Sequence, residues 1–358
     1  MRSAELTRGR KPRSRQEREG RSRELSRFPQ RGHRGSVRGA FTLCSPVRRA
    51  SLRLLADTPE GKGAFGDGLK PVLQRGGDRL KPVLRGTCER NGVTPCPFSL
   101  DIPQEHAYIR KNREKAMLVA VISDIHANLE ALEAVLEDVD RVEADTVLCL
   151  GDVVGYGPDP NLCVEIVSRV ALACVAGNHD HAVLGQTDIT YFNTYAREAV
   201  LWTRSVLAEE ARAYLARCPL KDTFEQALLV HGSPVDPEDW NYIFSVGDAH
   251  RAFDRFEEPL CFVGHSHVPV VFDLDSRGFV EVREASRLVF EPGHRYIVNV
   301  GSVGQPRDWD PRAAYGLWDT EKNSFELRRL AYDVQTTQRK ILAAGLPEFL
   351  ATRLATGQ

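Results

Sequence analysis

The sequence predicts an α/β protein that, from Met117 onward, first alternates strands with helices and then runs mostly in strands. Apolar runs such as M-L-V-A-V-I-S at 117–123, T-V-L-C-L at 146–150 and A-L-A-C-V-A at 171–176 stop abruptly at Gly or Asp, the pattern of buried strands. The stretches between them place apolar residues at helical spacing, as with Leu129, Leu132, Val135 and Leu136. From about residue 259, short apolar segments follow one another through Gly, Asp and Pro turns, which points to a second sheet.

Taken in order, the first strand runs into the loop Asp124-Ile125-His126-Ala127-Asn128, with Asn128 as the cap of the following helix. The second strand, at 145–150, delivers Asp152 at its carboxyl end, where open α/β sheets place their ligands. A turn through Gly155, Gly157 and Pro158 leads to a helix over 160–170. The third strand ends in Gly177-Asn178-His179-Asp180-His181, and a helical region covers 193–217. The run F-E-Q-A-L-L-V reads as a strand ending at His231, followed by strands at 259–263, 269–274, 279–283, 296–300, 314–319 and 325–332. The last stretch is expected to form a helix that docks on the sheet through Ile341 and Leu342.

The 358 residues, 42% of them apolar, divide into two materials. Residues 1–116 hold 27 Lys and Arg against 12 Asp and Glu, whereas the remainder holds 21 against 37. The first part is rich in Arg, Gly, Pro and Ser and carries a near-repeat, L-K-P-V-L-Q-R-G at 69–76 and L-K-P-V-L-R-G at 80–86, a composition that predicts disorder. Met1 and Met117 are the chain's two methionines. We therefore read 1–116 as a basic leader, translated from upstream sequence before a native start at Met117, and 117–358 as the folded domain. A basic arm for nucleic acid or another anionic partner, and a targeting segment, are the alternatives. N-terminal sequencing of the native product separates a short chain from a long one.

Eight cysteines show no C-x-x-C spacing, and those beyond residue 116 sit mostly in strand-like contexts, as buried reduced thiols do. No apolar stretch reaches the ~18 residues of a membrane span, and no signal-peptide pattern opens the chain. A cytoplasmic protein without a membrane partner is expected. The acidic balance of the folded part argues against broad nucleic-acid binding, and the oligomeric state is not legible.

Asp124, His126, Asp152, Asn178, His231, His265 and His267 all follow strand-like runs. A lone histidine after a strand is usually structural, but so many independent placements describe a metal site with oxygen and imidazole ligands, in which Asp152 is the bridging candidate. Mixed ligands of this kind suit manganese, iron and zinc, with nickel and magnesium also candidates.

In order along the chain, S-D-I-H at 123–126, G-D at 151–152, G-N-H-D at 177–180, H-G-S-P at 231–234 and G-H-S-H at 264–267 resemble the five blocks of the calcineurin-like metallophosphoesterases. The resemblance spans Met117 to the C-terminus. It implies a four-layer α/β/β/α sandwich of two mixed β-sheets flanked by helices, and a dinuclear centre that hydrolyses a phosphate ester by metal-bound hydroxide. It further implies that Asp124, His126 and His267 hold one ion, that Asn178, His231 and His265 hold the other, and that Asp152 holds both. His179 is then a catalytic non-ligand that assists the leaving group, with Asp180 as the residue to orient it, while His181 reads as a cap or surface residue.

The S-D-I-H-A-N start and the segment N-V-G-S-V-G-Q-P-R-D at 299–308 resemble small bacterial and archaeal phosphodiesterases of this family. The arginine that serine/threonine phosphatases and symmetric diadenosine tetraphosphatases carry after the G-D block is absent from G-D-V-V-G-Y-G-P, and Tyr156 stands where some relatives have histidine. Val300 replaces a proline common in relatives. Arg307 and Arg312 are the candidates for gripping substrate phosphate together with Asn178, against a reading in which both pair with Asp308 and Asp310 on a solvated loop. The expected partner is a small phosphate ester, with nucleotides among the candidates. A phosphomonoesterase, a dinucleoside polyphosphate hydrolase, a nuclease and a non-enzymatic scaffold on the same fold, as in a retromer subunit, are the alternatives.

Overall fold

The computed structural model of the chain describes residues 71–75, 80–84 and 116–358. Within the leader, strands β1 (Pro71–Arg75) and β2 (Leu80–Leu84) pair antiparallel, so the two copies of the near-repeat meet each other. The other expectations for residues 1–115 lie outside the described residues.

From Leu118 the expected alternation holds. Strands β3 (Leu118–Ile122), β4 (Thr146–Cys149) and β5 (Ala171–Cys174) pair parallel, with helices α1 (Leu129–Arg141) and α2 (Pro160–Val170) as the crossovers. The third strand leads directly into a short helix, α3 (Asn178–Leu184), and the region 193–217 forms two helices, α4 (Thr194–Val206) and α5 (Glu209–Leu215).

The single strand expected before His231 is a hairpin, β6 (Lys221–Phe224) and β7 (Ala227–Val230), because Glu225 takes a left-handed turn conformation with φ of 51°. Helix α6 (Val246–Phe253) then precedes β8 (Leu260–Val263), β9 (Val270–Leu274), β10 (Val280–Arg283), β11 (Arg287–Val289), β12 (Arg295–Asn299), β13 (Ala313–Asp319) and β14 (Ser324–Leu330). Helices α7 (Val334–Ala343) and α8 (Glu348–Thr352) close the chain.

Strands β3 to β14 form two mixed sheets, β11-β14-β13-β3-β4-β5 and β10-β9-β12-β8-β7-β6. Alternation along β3 shows how they stack. Val119 and Val121 face Phe262, Val298 and Trp318 in a core shared by both sheets, while Ala120 and Ile122 face Leu132 and Val135 of α1. On the far side, Cys261, Val263 and Ile297 meet Ala249, Ala252 and Phe253 of α6. The result is helix, sheet, sheet, helix.

The C-terminal helices differ from expectation. Ile341 is buried but Leu342 is 52% exposed, and Ile341 packs in a satellite cluster with Leu350, Leu354, Ala196 and Tyr156, where a helical face beside the G-D loop, and not the sheet, receives it.

Candidate metal centre

The parallel strands β3, β4 and β5 end side by side, as do β7 and β8 in the other sheet, and the loops that follow bring the sequence-predicted ligands together. Asp124, His126, Asp152 and His267 form one buried group, and Asp152, His231 and His265 form a second. Asp152 is common to both: its Oδ2 lies 3.6 Å from His126 Nε2 and 3.3 Å from His231 Nε2. Asn178 joins the second group, with Oδ1 3.2 Å from His231 Nε2.

Second partners decide which atoms face inward. Nδ1 of His126, His231 and His267 lie 3.1, 2.8 and 2.6 Å from the carbonyl oxygens of Val154, Leu150 and Gln305. A carbonyl can only accept, so each Nδ1 carries a proton and each Nε2 faces the centre, the orientation that metal-binding histidines adopt. Asp124 is divided in the same way. Its Oδ2 accepts from Ser123 Oγ at 2.7 Å and from the His265 backbone N–H at 2.9 Å, while its buried Oδ1 has no hydrogen-bond donor. Buried donor atoms converging in this way fit divalent cations.

Burial alone would lower the His231 imidazole, yet Asp152 and Asp124 outweigh it and push it up to about 10, so its Nε2 holds a proton between the two carboxylates that a bound cation would displace. Burial holds His126 well below its ordinary value and takes His265 down to about 3, so both are neutral donors of lone pairs. Burial would raise the Asp152 carboxyl, but the neighbouring histidines, His231 foremost, hold it below the usual carboxylate range.

The backbone is strained where the chemistry is. Asp124, His126, Asp152, His265 and His267 all adopt left-handed conformations, with φ between 50° and 63°. Two glycines make room: a methyl on Gly177 would collide with the Asp152 carboxylate, and one on Gly264 with Ser123 and Asp124. The segment 299–308 acts as a bracket. Asn299 donates to the Gly264 carbonyl at 2.6 Å and to Ser266 Oγ at 2.9 Å, Ser302 Oγ donates to the Asp124 carbonyl at 2.8 Å, and Gln305 receives His267.

Above the two groups opens a cleft of about 480 Å³. His179 lines it without joining either group, its ring 4.4 Å from Tyr156 and 5.0 Å from His126, and its Nδ1 is buried without a partner. Burial brings its pKa down to about 4. Asp180 makes no hydrogen bond to His179. Its carboxylate accepts from the backbone N–H groups of Gly177 at 3.0 Å and Val154 at 3.2 Å, which caps α3 and ties it to the G-D loop.

Arg307 lines the cleft with Nη2 on Gln305 Oε1 at 2.8 Å and a buried Nε that has no partner. Arg312 does not line it, because its guanidinium is forked onto Asp310 at the surface. His181 is packed edge-on to Trp240 and is not a member of either group.

A family model described as the calcineurin-like phosphoesterase superfamily domain matches residues 117–323. The chain belongs to this family. It is 39% identical over 247 residues to an uncharacterized protein of Methanocaldococcus jannaschii, a match covering 67% of this chain and 98% of that protein. It is also similar to a crystal structure of a metallophosphoesterase from Sphaerobacter thermophilus, with 42% identity, a TM-score of 0.61, and coverage of 68% of this chain and 100% of the other. A hypothetical protein from Pyrococcus horikoshii shares the fold at 21% identity and a TM-score of 0.56, over 67% of this chain and 98% of its own. The chain is thus a metallophosphoesterase-family protein whose buried Asp/His cluster is compatible with divalent ions, and none of its described helices is long and apolar enough to cross a membrane.

Sequence reasoning missed Tyr156 as a contact of both His126 and His179, Asn299 and Ser302 as supports, and the aromatic wall formed by Trp240 and Tyr242. The motif at 299–308 was the available signal for the supports; the wall lies on a loop with no motif.

Proposed function

We propose that the protein is a phosphodiesterase working with two divalent ions, one held by Asp124, His126 and His267, one by Asn178, His231 and His265, and both by Asp152. The observation that carries this reading is the Asp152 carboxylate, a single oxygen of which stands within reach of both imidazole sets at the floor of an open cleft. Bound there, such ions supply Lewis-acid polarisation of the phosphoryl group and a nucleophilic water at neutral pH. Donors that mix carboxylate, amide and imidazole suit manganese, iron and zinc, and manganese is the first ion to test.

The chain's own residues do the rest. Arg307 offers its unpartnered Nε and the rest of its guanidinium to phosphate oxygens, and one guanidinium matches the single charge of a diester better than the double charge of a monoester. His179, outside both ligand groups, donates a hydrogen bond from its neutral imidazole N–H to the departing oxygen. Asp180 supports His179 indirectly, by fixing the first turn of α3 on which His179 sits.

The test is turnover of a generic phosphodiester and a generic phosphomonoester by chelator-stripped protein with Mn²⁺, Ni²⁺, Zn²⁺ or Mg²⁺ restored, alongside His179→Ala. Diester turnover that requires an ion and falls about 10²–10⁴-fold in the variant, at unchanged ion content, is expected. Preference for the monoester, or full activity in the variant, would overturn the reading.

A further inference from the structure

We infer that the cleft selects a diester with a single phosphate charge and an uncharged planar arm of nucleoside size, and turns away substrates with further phosphates. This rests on the phosphodiesterase reading of the same centre and narrows it. Charge is the first ground. Among the described residues, Arg307 is the one lysine or arginine that lines the cleft, whereas Asp188, Glu238 and Asp239 stand on its outer wall. None of these three is in an ion pair among the described residues, and hydrogen bonds from the Thr190 backbone N–H at 2.9 Å and hydroxyl at 2.8 Å hold Asp188 below the usual carboxylate range. A polyphosphate chain reaching outward from the centre would run its added charges against three carboxylates with no further cation to receive them.

The aromatic lining is the second ground. Tyr191, 90% exposed, Phe192, Trp240 and Tyr242 face the cleft, and Tyr242 stacks on the His265 ring at 4.0 Å with Phe244 stacked behind it at 4.8 Å. Most of the Tyr191 ring has no protein surface to cover it. A flat ring entering the cleft supplies that surface, and stacking needs no particular hydrogen-bond pattern. The volume of about 480 Å³ suits one phosphate and one such arm.

The experiment compares the ion-loaded protein on three substrates, followed by phosphorus NMR: a dialkyl phosphate, the methyl ester of a nucleoside 5′-monophosphate, and a dinucleoside triphosphate. The nucleoside diester is expected to exceed the dialkyl phosphate in kcat/KM by about tenfold or more, the scale of one stacked base, and the triphosphate by a similar factor. Tyr191→Ser should erode the first ratio, and Glu238→Gln combined with Asp239→Asn the second. Equal rates on dialkyl and nucleoside diesters, or a preference for the triphosphate, would overturn the inference while leaving the diesterase reading intact. Absence of turnover on both diesters would overturn the two together.

Discussion

At Arg307 the guanidinium faces the cleft and lies over the Tyr156 ring, 5.7 Å from its centre, whereas Arg312 is spent on Asp310. Arg307→Ala is therefore expected to raise KM for a diester by about tenfold or more, the range of a lost charge-assisted hydrogen bond, and Arg312→Ala to change it less than about twofold. Tyr156→Phe should give a smaller rise in KM with kcat retained, because its hydroxyl meets Arg307 Nη2 at only 3.4 Å while its ring keeps its place against His179. Steady-state kinetics of the three variants checks all of this. The sequence could not separate the two arginines, since both stand among aspartates and the difference is one of direction. The ligand-capable residues were legible because each follows an apolar run; the left-handed backbone of Asp124, His126, Asp152, His265 and His267 was not, because Asp and His at such positions look like any other loop residues.

Among the elements, α3 is the one whose placement matters most to the centre, and it is the one that periodicity did not show. It has too few turns to display an apolar stripe, and the Gly177 at its head reads equally well as the end of a strand. Helix α6 was missed although Ser245 and Asp248 form a capping box and Ala249, Ala252 and Phe253 fall on one face, because small alanines make that stripe faint beside the strands on either side. The head of α3 packs so closely on the G-D loop that the His179 backbone N–H reaches Asp152 Oδ1 at 2.8 Å, a contact open only to a residue without Cβ at Gly177. Gly177→Ala should displace that carboxylate and weaken ion binding by about tenfold or more, measured by calorimetric titration with Mn²⁺, while circular dichroism stays that of the parent.

Over the whole molecule, helix α1 is tied to the sheet beneath it by one buried carboxylate. Asp138 accepts from Tyr315 Oη at 2.7 Å and from Arg328 Nε at 3.0 Å, and it also pairs with Arg141. Burial would raise this carboxyl, but the hydrogen bonds from Tyr315, Arg141 and Arg328 outweigh it and hold it below its ordinary value. Its stabilisation is thus present above the unfolded-state pKa of about 3.9 and is lost as pH falls through the lower folded value. Asp138→Asn should cost about 2–4 kcal/mol at pH 7, and the gap from wild type in denaturant melts should shrink below about pH 3.9. A second sheet was legible from the run of later strands, and the four layers only from the family resemblance, because β3 is apolar on both faces and its alternation emerges only in the fold; which strands pair was not legible, because strand order is set by contacts between distant segments. That order has one more effect. Asp124, His126, Asp152 and Asn178 follow strands of one sheet, and His231, His265 and His267 follow strands of the other. Each ligand set therefore spans the sandwich, and ions seated there would rivet its two halves. At about 100 times its Kd, an ion adds about 2.7 kcal/mol per site, so Tm should climb with Mn²⁺ and fall with chelator even in His179→Ala. For this fold, melting temperature doubles as a gauge of metal loading that needs no substrate.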